Sequence, residues 1–149
     1  MDTRSGGPGD APQSRRAGPG RRSLTASCEF GPDHGAVRAA RQFASEATKG
    51  WDVSEFDVQV VVSELAANAV LHGRSPFRVS LRNSRRRVSI EVEDRSDDLP
   101  TLSDPHGANG RGLLLVDRIA RAWGARRTGL GGKVVWAELE RGPRPGNAG

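Results

Sequence analysis

Three groups of residues in the 149-residue chain have types and spacings that can do chemistry. The first is Glu64 with Asn68, inside VVSELAANAVLHG. On a helix these two side chains lie about 40° apart, with Val60 about 40° and Leu71 about 20° to the other side of Glu64. A carboxylate and an amide on an otherwise aliphatic face must find partners or cost several kcal/mol. Water, a metal or a ligand in a cleft would supply them, and so would backbone groups or an arginine at the helix edge. The amide oxygen of Asn68 can ligate a hard cation such as Mg²⁺, and Glu64 can hold a water or take a proton. His72 continues the same row, as a further polar group or as a helix-end packing residue.

The second group is Asp94. It shares strand parity with Val88, Ile90 and Val92, so it points inward with them, while Ser89, Glu91 and Glu93 point out. An inward aspartate at a strand end can accept the exocyclic amine of adenine, or it can form a turn or cap a helix. The third is Gly107-Ala108-Asn109-Gly110-Arg111-Gly112, just ahead of Leu113-Leu114-Leu115-Val116. Glycines let backbone approach a ligand closely, and the unpaired N–H groups of a helix start attract anions. Arg111 can add a charge-assisted contact to phosphate. A plain flexible loop leading into a helix is the alternative.

These groups need elements to hold them. The hydrophobic periodicity predicts a strand over 24–30 and a helix over 33–48 capped by Asp33. A longer helix over 54–71 follows, capped by Ser54. Strands over 77–82 and 87–94 join in a hairpin through Asn83-Ser84-Arg85-Arg86. A Gly/Asp/Pro-rich loop leads to a helix over 112–123, and two last strands lie near 125–128 and 133–139. The order β-α-α-β-β-α-β-β, with strands arriving in hairpins, predicts a two-layer α/β sandwich. Its mostly antiparallel sheet is covered on one face by three helices.

The chain is 35% hydrophobic and 28% charged, with a net charge of +5, enough apolar material for one modest core. Residues 1–22 hold no aliphatic side chain larger than alanine after Met1, and RGPRPGNAG ends the chain. Neither stretch can offset its ordering entropy, so 1–22 and 141–149 are expected to be disordered tails around a domain over 23–140. Most of the positive charge falls in those tails. Basicity with no aromatic platform is a weak nucleic-acid signal, and direct nucleic-acid binding is not expected. Cys28 is the sole cysteine, so no intramolecular disulfide can form. No apolar run approaches about 18 residues, and the N-terminus has no apolar signal region; a cytoplasmic protein with no membrane partner is the expectation. A phosphate-binding P-loop is absent, because Arg127 stands at its first glycine position and Val134 follows Lys133. His34, His72 and His106 lack metal-ligand spacing.

In this order, the three segments resemble the Bergerat-fold (GHKL) ATPases, which include histidine kinases, gyrase and the anti-sigma factor serine kinases. The last branch is the most similar. VVSELAANAVLHG looks like its N box, VEDRSDDLP its adenine box, NGRGLLLVDRIARAWG its glycine box and GGKVVWAELE its final strand pair. The resemblance implies ATP and Mg²⁺ between helices and sheet. Asn68 would ligate Mg²⁺, Glu64 would act as general base toward a partner serine, and Asp94 would bond adenine. Ser96 would support the adenine-box turn, and Gly110, Arg111 and Gly112 would lie near the phosphates. It also implies transfer of the γ-phosphate to a serine of an anti-sigma factor antagonist, sequestration of a sigma factor, and often a homodimer. The adenine box departs from the family's D-x-G-x-G, with Ser96 and Asp98 in place of both glycines. The alternative is therefore a non-catalytic module that binds ATP or a partner without turnover.

Overall fold

A computed structural model describes residues 15–16, 24–73, 75–96, 108–129 and 131–142. The expected sandwich is observed. The strands are β1 (Arg15–Arg16), β2 (Leu24–Phe30), β3 (Phe77–Asn83), β4 (Arg87–Asp94), β5 (Ala122–Arg127) and β6 (Lys133–Glu140). They form one antiparallel sheet in the order β1-β2-β3-β4-β6-β5. The helices are α1 (Gly35–Ala47), α2 (Glu55–Gly73) and α3 (Ala108–Ile119).

Strict alternation decides which sheet face is covered. Phe77, Val79 and Leu81 on β3, with Val88, Ile90, Val92 and Asp94 on β4, are buried. Their cross-strand partners Val135, Ala137 and Leu139 on β6 share that inner face. The outer face carries paired charges: Arg78 with Glu29, Arg87 with Glu138, Arg126 with Glu91, and Arg121 with Glu140. Such exposed pairs contribute little to stability individually.

α2 lies between its neighbours, packed on α1, α3 and the inner sheet face. That position explains its breadth of apolar surface: Val58, Val61, Val62, Leu65, Ala66 and Ala69 are all buried. Phe30 links strand to helix, with its ring 5.9 Å from that of Phe43 and 5.6 Å from that of Phe77.

Several boundaries differ from the sequence expectation. Asp33 does not cap α1; the N-cap is His34, without a side-chain cap bond, and Asp33 contributes its carbonyl to the Ala36 N–H at 3.0 Å. α3 begins at Ala108, four residues early, and ends at Ile119. Trp123 belongs to β5, where its indole Nε1–H donates back to Asp117 Oδ1 at 2.9 Å. Of the stretch expected to be disordered at the N-terminus, the described part is Arg15–Arg16, which pairs with Thr25 and Leu24. At the C-terminal side, Arg141 donates to Asn83 Oδ1 at 3.0 Å and to the Ser84 carbonyl at 2.9 Å. No helix among the described residues is long and apolar enough to cross a membrane.

Candidate functional site

The site is built first from α2. Ser54 starts this helix as expected, its Oγ accepting the Asp57 N–H at 3.1 Å. Glu55 and Asp57 in the first turn complement the helix dipole. Further along, Asn68 turns into the layer between helices and sheet and is 4% exposed. Its amide oxygen is buried and has no hydrogen-bond partner. Glu64, one turn earlier, is half-buried, and desolvation pushes its carboxyl above the ordinary carboxylate range. Among the described residues no arginine pairs with Glu64 or Asn68. Arg41, which reaches α2 from α1, donates to Ser63 Oγ at 3.2 Å. His72 lies in the last turn of α2, and its side chain is outside the described residues.

An orphaned amide oxygen in a closed layer suits a hard cation. Among the described residues no group of three or more His, Cys, Asp or Glu side chains could hold a metal alone. Asn68 therefore fits a cation that takes one protein ligand and completes its shell with phosphate and water oxygens, as Mg²⁺ commonly does.

β4 and β6 supply the second wall. Asp94 is 3% exposed at the end of β4, inward as its parity demands. Its Oδ1 accepts the Ser96 N–H at 2.7 Å, an Asx-type turn made by backbone, so it survives the replacement of glycine by serine. Its Oδ2 accepts from Lys133 Nζ at 2.8 Å, and both side chains are fully enclosed. Asp94 thus forms the turn that the sequence left open beside base recognition, and it also holds a buried ion pair. Behind the pair, a Cβ on Gly132 would collide with the Asp94 carbonyl oxygen, so only glycine lets β6 approach this closely.

The third wall is α3. Because the helix starts at Ala108, Gly110, Arg111 and Gly112 lie inside its first turns rather than ahead of them. The unpaired N–H groups of the helix start fall on Ala108 to Arg111. The side chains of residues 108–112, Arg111 included, and all of residues 97–107 lie outside the described residues. Leu113 and Val116 anchor α3 in the core, while Leu114 and Leu115 are exposed.

A family model, the histidine kinase-like ATPase domain, matches residues 30–139. The chain belongs to that family. The match runs from the end of β2 into β6 and takes in Glu64, Asn68, Asp94 and the start of α3. A comparison with curated proteins found no match. As a histidine kinase-like ATPase domain, the chain has an ATP-binding fold. Its α2, which carries the carboxylate and the unpartnered amide, packs on α3, on β4 with the strand-end aspartate, and on β6. A separate groove between α1 and β2, lined by Cys28, Arg41 and Gln59, contains none of these groups.

Lys133 is the residue that sequence reading missed. The signal was present: 133, 135, 137 and 139 share parity, so a strand that buries Val135, Ala137 and Leu139 also buries Lys133.

Proposed function

We propose that this histidine kinase-like ATPase domain is a regulatory protein serine kinase of the anti-sigma factor type. It would transfer the ATP γ-phosphate to a serine of an anti-sigma factor antagonist, sequester a sigma factor, or do both. The observation that carries the reading is the pairing, one helical turn apart, of a desolvated Glu64 carboxyl with the unpartnered Asn68 oxygen.

Asn68 would hold Mg²⁺ through its unpartnered amide oxygen, and the cation would supply charge neutralisation when ATP is bound. The N–H groups that open α3 bind phosphate oxygens, favoured by the helix dipole. Glu64, its carboxyl pushed up by burial, accepts the proton of the incoming serine hydroxyl. Asp94 would read the base, as the resemblance of its segment to the family's adenine box implies.

A second reading is favoured by one observation. Both oxygens of Asp94 are engaged and the carboxylate is closed from water, which fits a partner-binding module with weak or no turnover.

Calorimetric titration with ATP, with and without Mg²⁺, tests the first reading, followed by phosphotransfer to an antagonist domain. Glu64→Ala should abolish transfer and largely spare binding. No heat at millimolar ATP sinks the kinase reading. Binding without transfer to any antagonist, together with retention of a sigma factor, favours the module.

A further inference from the structure

The β3–β4 hairpin carries a run of charge that the nucleotide chemistry does not use. Arg82 lies near the end of β3, and Ser84-Arg85-Arg86-Arg87 turns the chain into β4. Arg82, Arg85 and Arg86 are exposed, and among the described residues none of the three has a hydrogen-bond or ion-pair partner. With Arg87 and Ser89 they line a groove of about 700 Å³. Among the described residues Glu138 is the one carboxylate in its wall, and it is taken by Arg87 at 3.2 Å and Arg121 at 3.7 Å. The turn is fixed by its own bonds. The N–H and Oγ of Ser84 both donate to the Arg87 carbonyl, each at 3.0 Å. Arg141 donates to Asn83 Oδ1 and the Ser84 carbonyl from the other side. A ligand here meets a turn already formed, so little ordering entropy opposes its binding.

Charge and surroundings select the occupant. Guanidinium forks match carboxylates, and clustered arginines read acidic motifs in this way. The rest of the outer face is rich in acids, with Glu91 and Glu93 on β4 and Glu140 on β6. The cationic ground is therefore narrow, and a nucleic-acid duplex with its broad front of phosphates would meet those acids. The large apolar side chains exposed among the described residues are Phe56, Leu71, Leu114 and Leu115, all on helices across the sheet. The hairpin thus has nothing to insert into a bilayer. A short acidic stretch of polypeptide fits both the charge and the width. Arg87 and Asp94 are the two ends of β4, about 24 Å apart at a strand's rise per residue, so an occupant leaves Asp94 clear.

We propose that the β3–β4 hairpin is a docking site for an Asp/Glu-rich segment of a partner protein, gripped by Arg82, Arg85 and Arg86. The proposal does not rest on the kinase reading, and its probe contains no nucleotide. Fluorescence polarisation on the full chain in salt of about 150 mM, with labelled octaglutamate as the probe, tests it. Octaglutamate should bind, and Arg82→Ser, Arg85→Ser and Arg86→Ser combined should weaken it at least about tenfold. Arg78→Ser, at the outer-face arginine paired with Glu29, should leave the affinity within about twofold. Backbone amide shifts on titration of the wild type should fall on residues 82–89. No binding, or full affinity in the triple variant, would overturn the proposal, the latter by moving the contact to arginines elsewhere in the chain. Tighter binding of a labelled DNA duplex or of phosphatidylserine vesicles would also overturn it. Amide shifts confined to the hairpin support it even where the triple variant does not fold, and shifts outside the hairpin refute it.

Discussion

The ammonium of Lys133 meets the carboxylate of Asp94 at 2.8 Å in a part of the sheet where neither side chain is reached by solvent. Removing one member of a buried pair strands the other charge. Lys133→Met should therefore cost about 3–5 kcal/mol in urea denaturation. Asp94→Leu with Lys133→Met removes both charges and should match or exceed the wild type. A double variant as unstable as the single one would show that the loss comes from packing and not from the unpaired charge.

Glu64 makes stability depend on pH in a definite direction. Burial raises its folded-state carboxyl above the value in the unfolded chain, so the folded state favours the protonated form. Its contribution is fully present below the unfolded value and is lost as pH rises through the folded one. Glu64→Gln mimics the protonated form. It should raise the Tm relative to wild type at pH 8 and leave it nearly unchanged at pH 4. A variant that gains more at pH 4 reverses the sign and removes desolvation as the cause.

Asn68 separates fold from function. Its buried oxygen has no partner to lose, so Asn68→Leu should change stability by no more than about 1 kcal/mol. The same change should remove the Mg²⁺ dependence of ATP binding, measured by titration with and without the cation. A large loss of stability, with Mg²⁺ dependence intact, would make Asn68 a structural residue.

Gly132 fixes the approach of β6 to β4. A methyl group there meets the Asp94 backbone oxygen, which cannot swing aside as a side chain can. Gly132→Ala should destabilise by about 1–3 kcal/mol and lengthen the Lys133–Asp94 contact. Thermal unfolding with side-chain NMR of the lysine ammonium reads both effects.

What was legible in the sequence follows the range of the interactions concerned. The β3–β4 hairpin, the inward parity of Asp94 and the Ser54 cap are local, and each is seen in the structure. The start of α3 was misplaced because Gly110 and Gly112 are poor helix formers, yet Leu113 and Val116 anchor the helix in the core from one side. Trp123 was assigned to α3 because Gly124 reads as a helix stop. That glycine is needed in β5 instead, where a Cβ would come within 2.7 Å of the Trp136 ring. The Asp94–Lys133 pair could not be read in advance, since it depends on β6 pairing with β4 across an intervening helix and strand.

Because β6 is threaded between β4 and β5, the last strand of the sheet in sequence is one of its interior members. A ribosome that has delivered every residue through β5 has made α2, β4 and α3, but Asp94 still lacks its counter-ion and the β4 edge is open. The buried Asp94–Lys133 pair therefore closes only when the final strand inserts between β4 and β5, which makes that ion pair a mark of a finished sheet.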